Sequence, residues 1–275
     1  MTLRLPRVPS RHVASSHALI RRALADSPAG GALVVGGGPC QDIPLFDLLA
    51  QLTPVWVIDI DGDALQSLGW IGDTDDALHT EVRDVTGWTA PFLVAVDAVL
   101  ELCLAPDDAA AAVVALLDDP LPVAAVPDGR WALVVASCVA SQLHLAALHG
   151  LHTRWRRAFA GDDLHARHDV QAALLRMSRR LQRGFVDWLR RSVAPDGRVA
   201  LTASVRHAAL SPTEDGWTTP GWSHMLATTN LAALVDGWTV HHSDRWTWVV
   251  EQRGAAGLVQ GKAYRIEGLV LSPPG

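Results

Sequence analysis

Residues 33–42 read Leu33-Val34-Val35-Gly36-Gly37-Gly38-Pro39-Cys40-Gln41-Asp42. A β-branched apolar run breaks into three glycines just before a helical pattern, which predicts a buried strand ending in a tight turn. A second apolar run, Val55-Trp56-Val57-Ile58, follows and closes on Asp59. Strand, glycine turn, helix and a second strand ending in a carboxylate make the first half of a nucleotide-binding α/β unit. Glycines let the backbone approach a ligand closely, the helix N-terminus offers free N–H groups, and the carboxylate accepts from ribose hydroxyls.

Outward from this unit, strand-like runs occur at 32–35, 55–58, 93–100, 131–136, 198–204 and 238–250, with a last one near 264–271. Helical patterns occupy 42–51, 62–68, 107–117, 141–151, 170–191 and 226–235. Such alternation predicts an α/β fold with a doubly wound, mostly parallel seven-stranded sheet, helices on both faces and ligands at the carboxyl ends of the strands. Residues 1–275 read as a single domain, with 1–28 as a helical lead-in. The stretch 144–191 is longer than one crossover helix needs and reads as a helical insertion after the fourth strand. Its role is either a substrate lid or a structural helical pair.

Composition narrows the class. Hydrophobic residues make up 49% and charged residues 19% of the chain, which excludes a disordered segment, and no apolar run is long enough to span a bilayer. Three cysteines without metal-ligand spacing suit a reducing, cytoplasmic setting. The net charge of −6 is uneven: from 151 to 191 ten arginines face four aspartates, so that stretch is +6 and the remainder −12. Lys262 is the one lysine in the chain, so arginine stands for lysine throughout and the cluster speaks only weakly for nucleic acid. The pairs His149/His152 and His165/His168 have helix-face spacing, but no carboxylate or cysteine pattern completes a site, and no metal is expected.

Over roughly residues 30–205 the ordered set resembles the class I S-adenosylmethionine-dependent methyltransferases. Val35-Gly36-Gly37-Gly38-Pro39-Cys40 is similar to the family's Gly-x-Gly-x-Gly turn, and Asp59 in Val57-Ile58-Asp59-Ile60-Asp61 falls where the ribose-binding acid ends the second strand. Val82-Arg83-Asp84-Val85 resembles the motif whose acid meets the adenine amino group. Leu133-Val134-Val135-Ala136-Ser137 resembles the fourth strand, and Pro195-Asp196-Gly197 the turn before the fifth. Two departures stand out: Val34 replaces the acid two residues before the first glycine, and Cys40 replaces the third glycine. A dehydrogenase fingerprint fits less well, because Gln41 occupies the place of its last glycine.

The resemblance implies S-adenosyl-L-methionine as cofactor, held by Gly36, Gly37, Gly38, Asp59, Ile60, Asp84, Val85 and Ser137. Asp42 either binds the methionine ammonium group or caps the following helix. Beyond the fourth strand, His144 is the candidate base and Ser141, three residues earlier, would share its helix face as a substrate contact. The alternative for His144 is an ordinary packed or solvated histidine, which is the commoner case. Cys138 lacks a surrounding Pro-Cys motif and reads as a buried thiol. Trp217 and Trp222, among Gly, Pro, Ser and Thr, read as loop residues that either stack on a substrate or pack, whereas Trp238, Trp246 and Trp248 alternate as sheet residues. The acceptor is expected to be a small molecule or peptide. An RNA methyltransferase and a non-catalytic S-adenosylmethionine-binding partner protein are the alternatives, and the oligomeric state is left open.

Overall fold

The computed structural model describes residues 11–69, 76–103, 105–121, 130–213, 216–218, 221–224, 230–253 and 259–274. In chain order these form α1 (Arg11–Ala25), β1 (Ala32–Val35), α2 (Leu45–Gln51), β2 (Val55–Asp59), α3 (Gly62–Gln66) and β3 (Leu78–Val82). Then come α4 (Thr89–Leu102), α5 (Pro106–Asp118), β4 (Trp131–Ala136), α6 (Leu145–Ala158), α7 (His168–Ser192) and β5 (Val193–Thr213). The chain closes with β6 (Gly216–Thr218), β7 (Ser223–His224), α8 (Leu231–Leu234), β8 (Thr239–Arg253) and β9 (Val259–Ser272).

The sheet runs β3-β2-β1-β4-β5-β9-β8, with β6 and β7 pairing only with β5. Pairs among the first five strands are parallel, and β9 is antiparallel to both neighbours. This is the doubly wound, mostly parallel seven-stranded sheet expected from the sequence, with an antiparallel hairpin completing one edge. Alternation along β1 sends Ala32 and Val34 to one face and Leu33 and Val35 to the other. The first face is covered by α1, α2 and α3 and the second by α4 to α8, so all four β1 side chains are buried.

The run at 93–100, expected as a strand, is the body of α4. Its buried residues Thr89, Phe92 and Val96 lie three and four apart, and Val94 and Leu102 face solvent. A continuous apolar run satisfies both periods, and here length and the alanines favour helix. The third strand is instead Leu78–Val82, an edge strand in which only Leu78 is buried, so it carries no apolar alternation to read. The Pro195-Asp196-Gly197 turn lies within β5, where the register jumps between Trp131↔Val193 and Leu133↔Arg198 and the extra residues bulge out.

The segment 144–191 does not stand clear of the sheet. Along α7, Val170, Leu174, Met177, Leu181, Phe185 and Leu189 are buried in the core of the second face. Each fully buried side chain of that size contributes about 1.5–3 kcal/mol. Five of the ten arginines are committed within the fold. Arg154 pairs with Asp97, Arg176 with Asp118, Arg167 with both Asp107 and Asp162, and Arg190 with Asp187. Arg180 donates to the carbonyls of Leu117, Asp118 and Asp119 that end α5. The positive segment thus complements the acidic helices α4 and α5.

Candidate functional site

A cavity of about 330 Å³ opens at the carboxyl ends of β1, β2 and β4. Gly36, Gly37, Gly38, Asp42, Asp59, Ile60, Asp84, Val85 and Ser137 all line it. The nine residues named from the sequence as candidate cofactor contacts are therefore neighbours in space.

The glycine turn is required by geometry. Gly36 and Gly38 have φ of +67° and +48°, in the left-handed region that favours glycine. A Cβ on Gly36 would stand 1.8 Å from Val139 Cγ2. At Gly38 it would meet nothing within 4 Å, because that position faces the open crevice. Cys40 replaces a glycine of the resembled motif yet keeps the glycine-like conformation, with φ 52°, so the backbone is strained there. Burial, then the negative charges of Asp42 and Asp59, push its thiol up to about 12. Cys138, at φ 56°, is likewise left-handed and buried, and burial raises its thiol to about 11.

Asp59 holds two loops together. Its Oδ2 accepts from the Gly38 N–H at 2.8 Å and its Oδ1 from the Asp61 N–H at 2.9 Å. Each oxygen retains a lone pair for a hydroxyl donor. Asp84 is more fully used: Oδ1 accepts from the N–H and Oγ1–H of Thr86, and Oδ2 from the N–H of Thr89, the first residue of α4. Burial alone would raise its pKa, but these bonds outweigh burial and hold it below the usual carboxylate range. Oδ2 keeps room for one further donor. Ile60 and Leu145, 48% and 45% exposed, line the same crevice with Val85 and Leu143 and give it an apolar wall.

Asp42 does not cap α2. Pro44 occupies the N-cap position without a side-chain hydrogen bond, and the helix starts three residues beyond the aspartate. Its carboxylate turns instead to the end of β4, where the Ser137 hydroxyl donates to Oδ2. His12 Nε2 lies 3.6 Å from the same oxygen. The Trp246 indole N–H donates to His12 Nδ1 at 2.9 Å, so the neutral ring carries its proton on Nε2, toward Asp42. Burial favours the neutral acid, yet the His12 and Ser137 contacts prevail and hold Asp42 below the usual range, ionised and able to take a cation. Sequence reasoning missed His12 and Trp248, whose rings stack at 4.3 Å on the crevice wall. No local signal could find them, because α1 and the last hairpin meet only in three dimensions.

The candidate acceptor residues are placed differently. Ser141 and His144 precede α6 rather than sharing its face, since Ser141 ends a short 3-10 turn and His144 is the α6 N-cap. Ser141 Oγ donates to the Cys138 carbonyl and accepts from the Ser204 N–H, locking β4 to β5. His144 is 5% exposed, its pKa is lowered by burial, and it is not among the crevice-lining residues. Trp222 lies under the Arg265 guanidinium at 4.5 Å, away from the crevice lining, and the Trp217 side chain lies outside the described residues. Among the described residues no group of three or more His, Cys, Asp or Glu could hold a metal ion. No described helix is long and apolar enough to cross a membrane.

No family model and no curated protein matches the sequence. Solved structures similar to the chain include TehB from Haemophilus influenzae, 10% identical with a TM-score of 0.48. That match covers 93% of this chain and 61% of TehB, so the chain spans about three fifths of TehB's length. A putative RNA methyltransferase from Pyrococcus horikoshii is 9% identical with a TM-score of 0.47 over 99% of this chain and 89% of its own. The glycopeptide N-methyltransferase MtfA, complexed with S-adenosylmethionine, is 11% identical with a TM-score of 0.46, covering 97% and 88%. Likeness at this level concerns general architecture and carries no role for any residue.

Proposed function

We propose that the chain is an S-adenosylmethionine-dependent methyltransferase acting on a small-molecule or peptide acceptor. One observation carries the reading: the glycine turn, Asp59, the Asp84 loop and the Asp42–Ser137 pair converge on one crevice. The donor set fits that cofactor along its length. Ile60 and Val85 offer an apolar surface to an adenine ring, Asp59 its free lone pairs to ribose hydroxyls, and ionised Asp42 a partner for the ammonium group that Val34 cannot supply. The open position at Gly38 admits close approach. When bound, the cofactor supplies an activated methyl group, and the protein's task is alignment and exclusion of water. Val139, Gln142, Leu143 and Leu145 supply the wall next to Ser137, where an acceptor would enter.

The commitment of Arg154, Arg167, Arg176, Arg180 and Arg190 within the fold removes much of the motive for an RNA acceptor. Calorimetric titration with S-adenosylmethionine, S-adenosylhomocysteine and NAD tests the reading. Saturable binding of the first two and not the third is expected. Binding of neither sulfur compound would remove it.

A further inference from the structure

A second cavity, of about 490 Å³, is lined in part by Trp246, the hydrogen-bond partner of His12. Arg11, Arg206, Arg245 and Arg265 line it together with Trp246 and Glu267. Glu267 is already occupied: Oε1 pairs with Arg245 at 2.8 Å and Oε2 accepts from the Leu231 N–H at 3.1 Å. The salt bridges among the described residues include none from Arg11, Arg206 or Arg265.

Arg206 on β5 and Arg265 on β9 are direct cross-strand partners. Like charges placed opposite one another destabilise a sheet, and among the described residues neither arginine has a salt-bridge partner. Such a local conflict in an otherwise consistent sequence marks a position kept for function. Stacking over Trp222 fixes the Arg265 guanidinium by its face, which leaves its edge N–H groups to make paired bonds. A concave site with this excess of guanidinium groups focuses anions.

We propose that this cavity receives an oxyanion, the phosphate or carboxylate group of the methyl acceptor. The link to an acceptor rests on the methyltransferase reading; the oxyanion site itself does not. Adjacent residues divide between the two: Arg11 lines the oxyanion cavity and His12 the cofactor crevice. Trp246 lines the cavity and its indole N–H donates to His12, which lines the crevice beside Asp42, so this hydrogen bond connects the two sites.

Pyrophosphate and citrate, titrated at matched ionic strength, are the probes, with S-adenosylhomocysteine titrated into each protein in parallel. Wild type should bind at least one anion saturably. Arg206→Gln and Arg265→Gln should each weaken it by on the order of 10- to 100-fold, the loss of a charge-assisted hydrogen bond. Arg11→Gln, at the exposed start of α1, leaves the sheet untouched and should show the same loss. A preference for pyrophosphate identifies a phosphate group and a preference for citrate a carboxylate. Absent binding, or binding indifferent to all three substitutions, overturns the site even where S-adenosylhomocysteine binds. Anion binding without S-adenosylhomocysteine binding upholds the site and overturns the cofactor reading.

Discussion

The Gly38 N–H and Asp59 Oδ2, 21 residues apart, are joined by a 2.8 Å hydrogen bond that fixes the glycine turn against the end of β2. Turn and acid therefore arrive at a ligand already oriented, which lowers the ordering cost of binding. Asp59→Ala removes both the anchor of the turn and the acceptor for a ribose hydroxyl. Affinity for S-adenosylhomocysteine should fall by about 1.5–3 kcal/mol in calorimetry. Unchanged affinity would show that the ribose lies elsewhere.

Asp84 organises the start of α4 through its bonds to Thr86 and Thr89. Asp84→Ala should cost about 1–2 kcal/mol at pH 7, the range for a lost helix cap. Because the folded pKa is lowered, this stabilisation is fully present above the unfolded value near ~3.9 and is lost as pH falls through the folded one. Urea midpoints of the two proteins should accordingly converge in acid. A constant gap between them would assign the effect to packing.

Burial lowers the His144 pKa, so the folded protein prefers the neutral ring. The associated stability is present above about 6.5, the unfolded value, and is lost as pH falls from there toward the folded value. His144→Gln should remove that part of the decline between pH 7.5 and 5. It should leave S-adenosylhomocysteine affinity unchanged, since the ring does not line the crevice. An altered cofactor affinity would place the crevice closer to α6 than described.

The left-handed backbone at Cys40 ranks substitutions in a definite order. Cys40→Gly relieves roughly 1–2 kcal/mol of strain while giving up a small buried side chain, and should come out near neutral. Cys40→Val adds a β-branched group to the same φ and should be worse than glycine by about 2 kcal/mol or more. Thermal melts compare them directly; equal stability of both variants would mean the turn refolds around the new residue.

What the sequence made legible was the part written in local patterns. The run into Gly36 and the run into Asp59 were bounded by chemistry as well as hydrophobicity, and both strands lie within a residue of their expected ends. Leu78–Val82 escaped because an edge strand with four side chains turned from the core has no apolar period, and 93–100 misled because every position suits either element. The side of the crevice formed by the glycine turn, Asp59 and Asp84 was readable since its residues follow strand ends. Its other wall was not, as His12 and Trp248 acquire their roles only through packing across the sheet.

The bond from Trp246 to His12 closes a loop of 234 residues. During synthesis α1 emerges well before β8, the strand that positions its histidine. Asp42 can take up its final electrostatic setting only once β8 has docked, long after β1 to β4 can pair. Binding competence should thus appear all at once when β8 docks, so that S-adenosylhomocysteine would report on chains that have passed that step and ignore earlier ones.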